Sequence, residues 1–139
     1  MSSEARSEDR AAVSVSVTAI ESFSAAHRLR GYEGDCARSH GHNYRVEVTA
    51  TRRERYAPLD EQGFVVDGAV LKRAMRSVLG DLDHQDLVDG SGPVTFGQAT
   101  AEIMAMWIRE QLDDLLPEGV LVSKVRLWET DDLFAEVSL

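Results

Sequence analysis

Three of the four histidines and the only cysteine of this chain lie between positions 27 and 42: His27, Cys36, His40 and His42. Three imidazoles around one cation, with a fourth position left open, are the ligand set of catalytic zinc. Closed structural sites use four protein ligands, often cysteines, and this chain has one cysteine. A thiol beside a cation has a lowered pKa, so Cys36, four residues before His40, is a candidate base or nucleophile. Each residue also has a plainer reading. A His-Gly-His pair also occurs in turns and on surfaces. His27, after two alanines, reads equally as a packed or capping histidine. A free cysteine is often a small buried hydrophobe.

Two further groups carry chemistry. In Asp83-His84 the carboxylate can orient the imidazole and stabilise its protonated form, as a general acid/base requires. Adjacent polar residues in a loop are also commonly just solvated. Glu129 shares strand parity with Val125 and Leu127, so it would continue their apolar face. A carboxylate there is costly unless paired; the alternative is an exposed charge at a strand end.

The elements that must position these groups follow from periodicity. Val13, Val15, Val17 and Ala19 alternate with Ser14, Ser16 and Thr18. That pattern predicts a strand with one buried face, running to about His27. A second strand is expected over about 40–52, with Tyr44, Val46, Val48 and Ala50 on one face. His40 and His42, two apart, then share a face, and antiparallel pairing brings His27 to them at one sheet end. A helix is expected from Asp67, a good N-cap. Its stripe is Val70, Leu71, Ala74, Met75, Val78 and Leu79, and Gly80 is the expected C′ residue. A second helix is expected over roughly 96–115, with Thr95 and Gln98 as capping box. Its inward residues are Ile103, Met104, Trp107, Ile108, Leu112 and Leu115. Two strands close the chain, with Leu121, Val125 and Leu127, then Leu133, Ala135, Val137 and Leu139, facing inward. The expected class is α+β in the order β-β-α-α-β-β, an antiparallel four-stranded sheet with two helices on one face. One catalytic domain spans 12–139, and residues 1–11, polar and aperiodic, read as a mobile tail.

Composition narrows the function. The 139 residues carry a net charge of −9, from 24 acidic against 15 basic side chains. That argues against a nucleic-acid surface, which needs basic patches. No apolar run approaches the ~20 residues that span a bilayer, so no membrane partner is expected. No signal peptide is read, and a cytoplasmic protein is the expectation.

Taken with their neighbours, these residues resemble the 6-pyruvoyltetrahydropterin synthase family. The resemblance covers about residues 17–139. It rests on Phe23-Ser-Ala-Ala-His27, Cys36-x-x-x-His40-Gly-His42, Gly63-Phe-Val-Val-Asp67, Leu82-Asp83-His84, Thr100-Ala-Glu102 and Glu129-Thr130. The three-residue gap between Cys36 and His40 is similar to the carboxy-forming branch, the 6-carboxytetrahydropterin synthases of the 7-deazaguanine (queuosine or archaeosine) pathway.

The resemblance implies a tunnelling fold, whose sheets join edge to edge in homotrimers or homohexamers. It implies Zn2+ on His27, His40 and His42, Cys36 as base and Asp83 with His84 as proton relay. Glu129 would anchor the pterin ring, with Thr100 and Glu102 as less direct pterin contacts. The implied reaction is a carbon–carbon lyase step converting 7,8-dihydroneopterin triphosphate to 6-carboxytetrahydropterin, acetaldehyde and triphosphate. The alternatives are pyruvoyl-forming elimination on the same substrate and a zinc- and pterin-binding module without turnover. The chain departs from the family pattern at Gly68, at Val88, in a longer 89–98 segment, and at Gln98-Ala99, where Asn-Pro is common. These departures fall on the substrate-binding rim.

Overall fold

Strand alternation dominates the architecture of the computed structural model, which describes residues 13–90 and 92–139. The polar stretch at 1–11 lies outside the described residues. Strand β1 (Val17–His27) pairs antiparallel with β2 (His40–Arg52), and β2 with β4 (Val120–Thr130). Strand β4 then pairs antiparallel with β5 (Leu133–Ser138). Helices α1 (Gly68–Gly80) and α2 (Ala101–Leu115) both pack on this sheet and on each other.

The face they cover is set by parity. Ala19, Phe23 and Ala25 of β1 and Tyr44, Val46, Val48 and Ala50 of β2 are buried, while Thr18, Ile20 and Arg45 between them are exposed. Phe23 stacks on its cross-strand partner Tyr44 with ring centroids 4.8 Å apart. A side chain such as Phe23 or Val46 contributes roughly 1.5–3 kcal/mol on leaving water. No helix among the described residues is long and apolar enough to cross a membrane.

The expected four antiparallel strands are present, but the sheet is five-stranded and mixed. A two-residue strand β3 (Gln85–Asp86) pairs parallel with Ala25 and Ala26 on the outer edge of β1, giving the order β3-β1-β2-β4-β5. Two residues have no periodicity, so nothing in the sequence marks them. Strand β1 begins at Val17, and Val13 is exposed.

The helix ends differ in an instructive way. Asp67 caps α1, accepting from Ala69 N at 2.9 Å. Gly80 is the last helical residue rather than a left-handed C′, and Asp81 is the C-cap. Helix α2 begins at Ala101, not near 96, and its cap is Thr100, whose Oγ1 accepts from Ile103 N at 3.2 Å. The residues before it are held elsewhere: Phe96 is buried and its N–H donates to Leu87 O. Ala101, Met104, Ala105, Ile108 and Leu112 face inward, Trp107 is half-buried, and Ile103 and Leu115 are exposed.

In β4 the expected inward Leu121 is also displaced. The register slips by one between Thr49 and Ala50, with Ser123 as the extra residue. Val120 and Val122 are therefore buried before the bulge, and Val125 and Leu127 after it. In β5, Ala135 and Val137 pack on the core, whereas Leu133 is exposed, as is Leu139 just beyond the strand.

Candidate functional site

The end of the β1–β2 ladder places the histidines. His27 ends β1, His40 begins β2, and the two are direct cross-strand partners. His42, opposite Ala25, lies on the same face. The three rings meet edge to face, with centroids 4.6 Å, 5.0 Å and 4.8 Å apart.

Their hydrogen bonds fix which nitrogens are available. His27 Nδ1 lies 2.7 Å from the Ala99 carbonyl, and His40 Nδ1 lies 2.7 Å from the Arg38 carbonyl. A carbonyl only accepts, so both Nδ1 atoms carry the proton and donate. A ring so anchored presents a bare Nε2 lone pair when neutral, and only a protonated His27 donates from Nε2 to Glu129; the His27 and His40 Nε2 atoms lie 3.0 Å apart. Two facing lone pairs repel unless positive charge sits between them. One ligand nitrogen from each of the three histidines falls within a 4.8 Å cluster. Backbone-anchored Nδ1 with free Nε2 is how metal-binding histidines are oriented. The donor set therefore fits one divalent cation.

Glu129 adds negative charge at the same point. A second register slip, between Trp128 and Thr130, leaves Glu129 as the extra residue of β4. Its Oε1 is 3.2 Å from His27 Nε2 and 3.6 Å from His42 Nε2. Of its two sequence readings, the paired one holds. Burial pushes the His27 imidazole down, but the Glu129 hydrogen bond, the Ala99 carbonyl and the Glu129 charge together raise it above its ordinary value. For His42 burial prevails and lowers it, against the Glu129 charge. The His27 hydrogen bond holds the Glu129 carboxyl low, with burial opposing. The His27 and Glu129 directions favour positive charge at this point, whereas the His42 direction favours a neutral ring with a free lone pair.

Cys36 sits in a one-turn 3-10 helix (Asp35–Ala37) in the connection between β1 and β2. It is half-buried, its carbonyl accepts from Leu29 N at 2.7 Å, and its Sγ makes no hydrogen bond to the histidines. Asp83 and His84 dock on the edge of β1 through Ser24. Asp83 Oδ1 accepts from Ser24 N at 2.9 Å, and His84 N donates to Ser24 O at 2.6 Å. The Ser24 bond holds the Asp83 carboxyl low, and His84 contributes further. His84 Nδ1 donates to Asp83 Oδ2 at 2.9 Å, and its side chain is 82% exposed. It is the only described non-glycine residue with positive φ, at 58°. No hydrogen bond or ion pair joins this dyad to the three histidines, but His84 and His42 both line one open cavity of about 450 Å³. Glu102 and Glu129 line a second, of about 390 Å³. Thr100 has its hydroxyl engaged in the α2 cap.

The sequence reading missed two residues here. Ala99 supplies the carbonyl that orients His27, and a backbone role leaves no side-chain signal. Tyr44 packs edge-on to His27 and His42, at 6.1 Å and 5.6 Å between centroids, and its buried hydroxyl has no protein partner. Its parity with His42 was the available signal.

Comparison with known proteins agrees with this fold. A model of the 6-pyruvoyl tetrahydropterin synthase family matches residues 16–138. A probable 6-carboxy-5,6,7,8-tetrahydropterin synthase of Halobacterium salinarum is 35% identical, over 81% of this chain and 79% of that protein. A 6-pyruvoyl tetrahydrobiopterin synthase of Pongo abelii is also 35% identical, over 80% of this chain and 82% of that protein. The solved 6-pyruvoyl tetrahydropterin synthase of Caenorhabditis elegans superposes with a TM-score of 0.74 at 30% identity, covering 90% of this chain and 95% of that one.

Proposed function

Because the chain belongs to the 6-pyruvoyl tetrahydropterin synthase family, we propose that it is a zinc-dependent 6-carboxy-5,6,7,8-tetrahydropterin synthase. It converts 7,8-dihydroneopterin triphosphate to 6-carboxytetrahydropterin, acetaldehyde and triphosphate, in the cytoplasm, as a step of 7-deazaguanine biosynthesis. The observation that carries this reading is the convergence of the His27, His40 and His42 ligand nitrogens beside Glu129.

In this reading His27, His40 and His42 hold zinc. Zinc, when bound, supplies Lewis acidity toward the hydroxyl oxygens of the substrate side chain. Glu129 accepts hydrogen bonds from the pterin amino and ring N–H groups, a bidentate arrangement open to a carboxylate. Glu102 borders the same cavity and Thr100 positions the start of α2 beside it. Cys36 removes a proton. The Asp83 carboxylate fixes Nδ1–H of His84, which leaves Nε2 to return a proton. Triphosphate needs local cations in a chain of net charge −9. Arg28 and Arg30 are tied to Asp89, whereas Arg38 makes no ion pair among the described residues, so Arg38 is the arginine free to meet it. The outer edges of β3 and β5 suit edge-to-edge assembly into a homotrimer or homohexamer.

The deciding experiment is incubation of zinc-loaded protein with 7,8-dihydroneopterin triphosphate and mass analysis of the pterin. The 6-carboxy product with acetaldehyde is expected. A 6-pyruvoyl product would move the chain to the other activity named among its relatives, and unchanged substrate would leave a binding module.

A further inference from the structure

The segment that departs most from the family pattern, 88–99, is bound to the chain between His27 and Cys36. Just before it, Leu87 N donates to Ala26 O at 2.8 Å; within it, Asp89 accepts a two-bond fork from Arg28 at 2.6 Å and 3.0 Å. At its far end, Gln98 grips the backbone of Arg30 with both halves of its amide. Arg30 N donates to Gln98 Oε1 at 2.9 Å, and Gln98 Nε2 donates to Arg30 O at 3.1 Å. An amide that pairs with both backbone groups of one residue imitates a strand partner. It holds residue 30 in place where no strand continues.

That grip leads to the thiol. Leu29, next to the held residue, donates its N–H to the carbonyl of Cys36 at 2.7 Å. Gln98, Ala99 and Thr100 are consecutive. One holds the backbone beside the Cys36 anchor, the next orients His27, and the third caps α2. Three residues thus tie the thiol loop, the metal-ligand set and a helix start to one stretch of backbone.

We infer that Gln98 is a positioning residue for Cys36, fixing the 28–36 loop so that the thiol keeps its place relative to the histidines. The inference rests on the catalytic role assigned above to Cys36, but its test is chosen to stand apart from that role. Cys36 is the only cysteine, so alkylation of the whole protein by iodoacetamide reads this one thiol. Gln98→Met keeps the length of the side chain and removes both bonds. Losing one to two ordinary hydrogen bonds shifts a local equilibrium by about tenfold. Half-buried Cys36 is therefore expected to alkylate about tenfold faster in Gln98→Met, with zinc content unchanged. If the enzyme turns over, kcat falls by a similar factor and KM stays within about twofold. Asp89→Asn breaks only side-chain bonds to the arginines, so alkylation there should stay within about twofold of the original protein.

Equal alkylation rates in Gln98→Met and the original protein would overturn the inference. Equal acceleration in both variants would overturn it too, because the loop would then be held generally and not by Gln98. Should Gln98→Met not fold, amide hydrogen exchange on the unaltered protein decides: slow exchange at Arg30 is expected, and exchange as fast as at an unbonded loop amide contradicts it. None of these readouts needs pterin turnover, so inactivity toward the pterin would refute the proposed function without touching the alkylation result.

Discussion

The histidine end of the sheet and the Asp83-His84 edge are built by opposite means. His27 is 1% exposed, and it and His40 are tied by a carbonyl to the backbone at the end of a paired ladder. His84 is 82% exposed, holds a positive φ, and is fixed by its backbone and its neighbour rather than by packing. A metal site needs several donors held to a common centre, which a packed ladder provides. The proton relay proposed for His84 needs access and room to move, which an exposed turn provides at the cost of backbone strain. The two meet only across an open cavity, so each can be disabled without disturbing the other.

The largest effect is expected at the packed end. His42→Ala should abolish both metal binding and turnover; metal analysis and activity on the same sample check this, and full retention of metal would break the comparison. Next comes Cys36→Ala, which should keep its metal and lose about 10²–10⁴-fold in rate, the usual range for a lost general base. Glu129→Ala should keep the metal and weaken pterin binding by about 1–3 kcal/mol, since a pterin N–H would lose its acceptor. Titration calorimetry with a pterin measures it.

At the exposed edge the sign of the stability change reverses. His84→Gly should lose the relay yet stabilise the fold by about 1 kcal/mol, because a left-handed backbone costs a β-carbon residue roughly that much. A thermal melt that shows destabilisation would remove strain from the account. The smallest effect is a pH dependence. The Asp83 carboxyl is held below its ordinary value, first by the Ser24 N–H and then by His84. Its contribution is present above the unfolded pKa, near 4, and is lost as pH falls through the lower folded value. The melting-temperature gap between the original protein and Asp83→Asn should therefore be open at pH 6 and close toward pH 3.

The same contrast explains what was legible in the sequence. Parity along β1 and β2 placed the three histidines together, because a ladder repeats and its core residues Phe23, Tyr44, Val46 and Val48 announce their face. Parity failed where a single residue breaks it: Ser123 in β4 turned Leu121 outward. Thr100 caps α2 in place of the expected Thr95, because Phe96 is buried and bonded to Leu87 outside the helix. Gln98, Ala99 and Ser24 act through hydrogen bonds that use a backbone atom on one side and join residues far apart in sequence. No local pattern marks such residues.

The central claim is a three-nitrogen metal centre with Cys36 outside it. Zinc-edge X-ray absorption on the zinc-loaded protein tests it directly. One zinc per chain is expected, with nitrogen scatterers at about 2.0–2.1 Å and no sulfur shell. A scatterer at about 2.3 Å, the zinc–sulfur distance, would make Cys36 a ligand rather than a base. Failure to bind zinc would contradict the account outright.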